Sequence, residues 1–275
     1  MISVSILKKR FGFYLLPTFF TFGNMFCGFY SIILCAQGRF ILAAKMILLG
    51  MIFDILDGRV ARLIKKESEF GIEIDSMADL TTFCIAPAIL MYSQLVKLIN
   101  AMGEPDWLLI IAFVFLMGGS LRLVRFNIKK YGVLLQSPKK RFQKTKKSNF
   151  DGLPTPAAAG FIASFFIASF SYQDDLLFIK LMPIFIVVLS YLMISNIEYP
   201  SFKEIDIQER KPFEFIVIII FLVALFSFFE NKWLMLFLVL LGYILFGLLR
   251  EWIMFANSLF RKEPDEDSHK INQSL

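Results

Sequence analysis

The chain has 275 residues, 57% of them hydrophobic and 33 of them Phe, and carries a net charge of +6. A mean hydropathy of +0.66 excludes an ordinary soluble domain and places the chain among integral membrane proteins. Its basic residues fall between apolar spans, which favours membrane lipids and phosphorylated substrates as partners and argues against nucleic acid.

Residues 2–12 alternate apolar and basic positions around Lys8, Lys9 and Arg10, a pattern that fits a short interfacial helix within an N-terminal segment 1–13. No basic region, short apolar core and A-x-A site appear in order there, so the first apolar span is expected to be retained. A spanning helix needs roughly 20 apolar residues. Eight such spans are expected, at about 14–35, 39–62, 75–99, 107–127, 155–172, 177–197, 213–229 and 233–256. The breaks between them include 103–106, 172–175 and 230–232, and a charged loop is expected over 128–150. The fold class expected is therefore an all-α integral membrane protein, closed by a polar tail over 257–275.

Counting Lys and Arg along this alternation puts 24 of the 29 on one side, which holds both termini and the 58–74, 122–150 and 198–212 connections. Arg39, Lys45, Lys97, Lys180 and Lys232 make up the remainder. By the positive-inside rule both termini face the cytoplasm, in a cytoplasmic (inner) membrane. Cys27, Cys35 and Cys84 lie in apolar segments without a C-x-x-C pair and read as buried thiols. The one histidine, His269, sits in the polar tail, so a histidine base, a Ser-His-Asp triad or a His-ligated zinc site is not expected.

Chemistry concentrates in the run from 54 to 79. Asp54 and Asp57 are spaced i,i+3 at the end of the second span, and Asp75 and Asp79 are spaced i,i+4 at the start of the third. Each pair shares one face of its helix, and the short charged link between the helices brings the two faces together. Four carboxylates at a membrane surface repel unless cations neutralise them, and Mg²⁺ or Mn²⁺ prefers such oxygen ligands. Two ions about 4 Å apart would clamp the oxygens of an in-line phosphoryl displacement. Gly58, Ala61 and Gly71 are small and leave room for a phosphate or nucleotide, although helix packing by itself also favours small residues. Arg122 and Arg125, spaced i,i+3 near the end of the fourth span, suit either a bidentate clamp on carboxylate or phosphate, or snorkelling to lipid headgroups.

The pattern Asp54-x-x-Asp57-Gly58-x-x-Ala61-Arg62, eight residues, then Gly71-x-x-x-Asp75-x-x-x-Asp79 resembles the full signature of the CDP-alcohol phosphotransferase family, with eight fixed residues in 26 positions. The resemblance covers roughly residues 10–200 and implies a six-helix core over 14–200, with two additional spans within 201–256. Those two spans suit either a shield beside a site open to lipid or a contact in a homodimer. Further segments, notably Arg122-Leu-Val-Arg125-Phe-Asn127 and Gly152-Leu-Pro-Thr-Pro156, are similar to the branch of the family that accepts L-serine. Leu16-Pro17-Thr18 departs from the expected Leu-Pro-Asn, while Asn24 is in place.

The resemblance implies transfer of the phosphatidyl group of CDP-diacylglycerol to the serine hydroxyl, giving phosphatidylserine and CMP. It makes Asp54, Asp57, Asp75 and Asp79 ligands of two Mg²⁺ or Mn²⁺ ions, and Asp79 the general base. Gly58, Ala61, Arg62 and Gly71 would line the CDP pocket, with Thr21 and Asn24 completing its polar wall. Arg122 and Arg125 would hold the serine carboxylate or a phosphate. Glycerol 3-phosphate, inositol phosphate or choline as acceptor is the nearest alternative. A divalent cation transporter is the alternative from another class, since intramembrane acids also mark ion paths.

Overall fold

The computed structural model describes residues 4–64, 69–99, 107–134, 150–171, 175–199 and 232–260. The span expected at 213–229 and the tail beyond residue 260 lie outside these residues. The described chain is helical almost throughout, as its composition requires. In order, α1 is Val4–Ala36, α2 Phe40–Ile64 and α3 Glu69–Asp79, followed by a π-helical stretch Leu80–Ile85 and α4 Ala86–Ile99. Beyond these come α5 Trp107–Leu134, β1 Phe150–Asp151, α6 Thr155–Ser171, α7 Asp175–Ile194, β2 Glu198–Tyr199 and α8 Lys232–Phe260.

Four described segments are long and apolar enough to cross a membrane: Thr18–Ala36, Phe70–Ile99, Trp107–Lys129 and Lys232–Met254. Thr155–Phe170 and Lys180–Ile194 are apolar but shorter. Helix α2 matches the expected second span in position but carries Lys45, Asp54, Asp57 and Arg59. The stretch expected as an interfacial helix is helical from Val4 and continues unbroken into the first span.

The loop expected to begin at residue 128 starts later, because α5 continues to Leu134. The extra turns are tied to α3: the Tyr131 hydroxyl donates to Glu73 Oε1 at 2.6 Å, and Asn127 Nδ2 donates to Ser76 Oγ at 2.8 Å. A polar extension that spends its side chains on a neighbouring helix has a reason to stay helical.

Helices α1 and α2 form a tight antiparallel pair because the chain reverses within three residues. Gly38, at φ +73°, donates to the Cys35 carbonyl at 2.9 Å, and the Arg39 amide donates to Leu34 at the same distance. This closes the end of α1 with a residue that tolerates the left-handed conformation. Helix α6 is the buried centre, packed between α2, α7 and α8. Ala158, Ala159, Ile162 and Ala163 are fully buried, and Phe161 and Phe165 meet Phe185 of α7 edge-on, at 5.1 Å in each pair. Small residues let the helix backbones approach where lipid supplies no hydrophobic drive between them.

The π-helical stretch sits where three glycines converge. A Cβ on Gly28 of α1 would lie 2.6 Å from the Thr82 Cα, one on Gly50 of α2 would meet the Thr82 methyl, and one on Gly119 of α5 would meet Cys84. The Thr82 hydroxyl donates to the Asn24 carbonyl at 2.8 Å, pinning this stretch to α1. The residue immediately before it is Asp79.

Candidate active site

The two acid-bearing helices meet as their spacing requires. One oxygen from each of Asp54, Asp57 and Asp75 lies within 4.8 Å of the others, a convergence of three carboxylates able to hold a cation. Asp57 is the most enclosed, at 5% exposure. It accepts hydrogen bonds from the Thr21 side chain and the Gly58 amide, yet its buried Oδ2 has no hydrogen-bond partner among the described residues. A buried carboxylate oxygen left unpaired costs free energy unless a ligand completes it. Three converging carboxylates and this oxygen together fit a hard divalent cation bound through oxygen.

Asp79 stands beside this trio rather than within it. Asn24 Nδ2 donates to its Oδ1 at 3.3 Å. The like charges of Asp54, Asp75 and Asp57 act on it in one sense and the guanidinium of Arg122 in the opposite sense. Asn24 is itself fully buried, and its Oδ1 has no partner among the described residues. Thr21 and Asn24, expected in a nucleotide pocket wall, thus hold two of the carboxylates.

Among the described residues, Gly58 has open space where a side chain would project, with no atom within 4 Å of a Cβ built there. Gly71 is exposed near the start of α3. Ala61 and Arg62 lie on the last turns of α2, and their side chains are outside the described residues.

The two arginines, expected to hold a carboxylate or a phosphate, turn to different partners within the protein. Arg125 turns to the end of α7: Nη1 donates to the Ile194 carbonyl at 2.9 Å and to Asn196 Oδ1 at 3.0 Å, and Nη2 to the Ser195 carbonyl at 2.9 Å. The last carbonyls of a helix lack partners within it, and a cation there satisfies them and complements the helix dipole. Arg122 points inward, with 7% of its surface exposed. Its Nη1 donates to Thr155 Oγ1 at 3.1 Å, and its guanidinium lies 5.9 Å from the Phe126 ring centre.

Thr155 is delivered by the segment Phe150–Pro154. Phe150 pairs with Tyr199 and Asp151 with Glu198 in the β1–β2 ladder. The chain then turns at Gly152, at φ +80°, where a Cβ would collide with the Met193 carbonyl and Arg125. Sequence reading singled out this motif but missed the strand pair, Thr82, Thr155 and the Ser76–Asn127 bond. Single hydroxyls carry no periodic signal, and their partners lie 33 to 58 residues away.

Residues 14–194 match the family model described as CDP-alcohol phosphatidyltransferase, about two thirds of the sequence. The chain belongs to this family. Its members are enzymes, and the carboxylate trio, Asp79 and Asn24 all lie inside the matched region. Among curated relatives, a CDP-diacylglycerol--serine O-phosphatidyltransferase from Helicobacter pylori is 32% identical over 255 residues, covering 90% of this chain and 96% of the relative. The Bacillus subtilis protein of the same name is 33% identical, over 69% of this chain and 92% of its own length. An archaetidylserine synthase from Methanothermobacter thermautotrophicus is 36% identical, over 70% and 72% respectively.

Proposed function

We propose that this enzyme transfers the phosphatidyl group of CDP-diacylglycerol to L-serine, giving phosphatidylserine and CMP. One geometric observation carries the chemistry: three carboxylates converge, with an unpartnered oxygen on Asp57, beside the open face of Gly58 and next to a separately held Asp79. The acceptor rests on the relatives named above, which include serine enzymes matched over nearly the whole of both chains.

In this reading Asp54, Asp57 and Asp75, joined by Asp79, hold two divalent cations, Mg²⁺ or Mn²⁺. When bound, such ions supply positive charge against the carboxylates and the pyrophosphate oxygens. The chain's own groups do the rest. Thr21 and the Gly58 amide fix the rotamer of Asp57. The space over Gly58 admits the pyrophosphate and cytidine close to the α2 backbone, with Ala61, Arg62 and Gly71 assigned to the same pocket. Asn24 orients Asp79, which takes the proton from the serine hydroxyl as its oxygen attacks the β-phosphorus and the bond to CMP breaks. The excess of Lys and Arg on one side supports a cytoplasmic position for this end of the bundle and for both termini.

The decisive experiment is CMP release from CDP-diacylglycerol by purified protein, with candidate alcohols added one at a time. L-serine alone should release CMP and form phosphatidylserine. Chelator should stop the reaction, and Mg²⁺ or Mn²⁺ should restore it. Release with glycerol 3-phosphate, inositol phosphate or choline, and none with serine, would reassign the acceptor. Divalent cation flux without any CMP would overturn the reading.

A further inference from the structure

Asn24 of α1 is gripped at two points by one short segment. Its side-chain Nδ2 donates to Asp79 Oδ1 at 3.3 Å, and its main-chain carbonyl accepts from the Thr82 hydroxyl at 2.8 Å. Asp79 precedes the π-helical stretch Leu80–Ile85, and Thr82 is the third residue of that stretch. Asn24 and Thr82 are both fully buried. Two bonds to one residue, from positions three apart, fix both the height and the rotation of α1 against the segment.

The two bonds differ in tolerance. The hydroxyl bond is short, whereas 3.3 Å lies just past the usual roughly 2.7–3.2 Å of an N–H···O bond. A shift of α1 by a few tenths of an ångström would therefore break the bond to Asp79 first. The Thr82 hydroxyl is the group that opposes such a shift.

Packing around Thr82 serves the same end. Gly28, one turn along α1 from Asn24 and on the same face, lets the two backbones touch: a Cβ there would lie 2.6 Å from the Thr82 Cα and 2.9 Å from its amide nitrogen. Gly50 of α2 makes room at the same point, since a Cβ on it would stand 2.5 Å from the Thr82 methyl and 3.0 Å from Asn24 Oδ1. Neither glycine belongs to the acidic motif. A π-helical turn is rare and occurs mostly at functional sites, and this one begins between the two residues that grip Asn24.

We propose that Thr82 is a positioning residue for Asp79: its hydroxyl holds Asn24 where the Asn24 amide meets the Asp79 carboxylate, and Gly50 leaves room for that contact. The proposal rests on the function given above, in which Asp79 takes the serine proton. Serine-dependent CMP release by the wild-type protein tests that function, and the ratios of variant to wild type test Thr82.

Thr82→Val keeps the branched shape and removes the hydroxyl. Ser31→Ala removes a bond of the same kind, from a buried hydroxyl of α1 to the Ala43 carbonyl at 3.0 Å, about three turns of α2 away from Asp54. Both should lower the melting temperature in detergent to a similar extent. Only Thr82→Val should lower kcat, by about tenfold or more, with the KM values for serine and CDP-diacylglycerol within about twofold of the wild type. Thr82→Ser, which keeps the hydroxyl, should retain kcat within about twofold. A normal kcat in Thr82→Val, an equal loss in Ser31→Ala, or a Thr82→Ser variant as slow as Thr82→Val overturns the proposal.

A double-mutant cycle tests the route through Asn24. In an Asn24→Ala background, Thr82→Val should lower kcat by less than about twofold. A full loss there means that Thr82 acts without Asn24, and overturns the proposal too. Gly50→Ala alters no hydrogen-bonding group and serves if Thr82→Val fails to fold. It should lower kcat with the same small change in KM, and a kcat equal to that of the wild type counts against Thr82.

Discussion

The carboxylate cluster and the junction around Arg125 are both polar, and both join helices distant in sequence, but they treat their hydrogen bonds in opposite ways. At the junction, Arg125 spends its donors on the carbonyls of Met193, Ile194 and Ser195 and on Asn196. At the cluster, Asp57 Oδ2 and Asn24 Oδ1 are buried without partners among the described residues, and Gly58 faces empty space. Satisfied polar groups stabilise a fold, whereas a site left incomplete in the protein is completed by what it binds. Two arginines of one short motif are divided by the same criterion. Arg125 caps a helix, and Arg122 is buried against Thr155 and Phe126.

The sharpest way to break this comparison is at the cluster. Asp79→Asn should lower kcat by about 10²–10⁴-fold if it removes the proton acceptor. Asp57→Asn should be comparably damaging to turnover, yet in metal-free protein its melting temperature should equal or exceed that of the wild type, because a like charge has gone. Near-normal turnover in either variant, measured as CMP release, would contradict the site.

Gly58→Ala is a finer probe. Alanine in place of a helical glycine stabilises by up to about 1 kcal/mol, so melting should not fall. The added methyl group should raise the KM for CDP-diacylglycerol by about tenfold, or 1.4 kcal/mol. A KM equal to that of the wild type would mean that the space over Gly58 is not used.

The opposite pattern is expected at the junction. Arg125→Ala should cost about 1 kcal/mol of stability by removing the donor from the partly exposed carbonyls at the end of α7, seen as a lower melting temperature, with the KM for serine nearly unchanged. A selective rise in that KM would restore the clamp read from sequence. The smallest effect is expected from His269→Ala, which should leave both the rate and the shape of the pH–rate profile as they are.

Much of the cluster was legible before any coordinates. The i,i+3 and i,i+4 spacings of Asp54, Asp57, Asp75 and Asp79 need only helical geometry to share a face, and a short link to meet. The four long spans among the described residues were legible for a similar reason, since roughly 20 apolar residues in a row have few alternatives to a helix in lipid. The sequence did not disclose that Asp79 stands apart from the other three acids, held by Asn24. Nor did it disclose that the third span passes through a π-helical stretch, or that α5 outlasts its apolar segment. Each depends on a side chain meeting a partner more than 50 residues away.

By itself, then, the order of residues determined a helical membrane protein with an acidic, glycine-lined site, because periodicity and hydropathy act over one or two turns. Only the tertiary structure decided which partners each arginine meets and which hydroxyls pin the helices beside the acids. Those choices follow from which buried donors find acceptors, and that is settled only when distant helices come into contact.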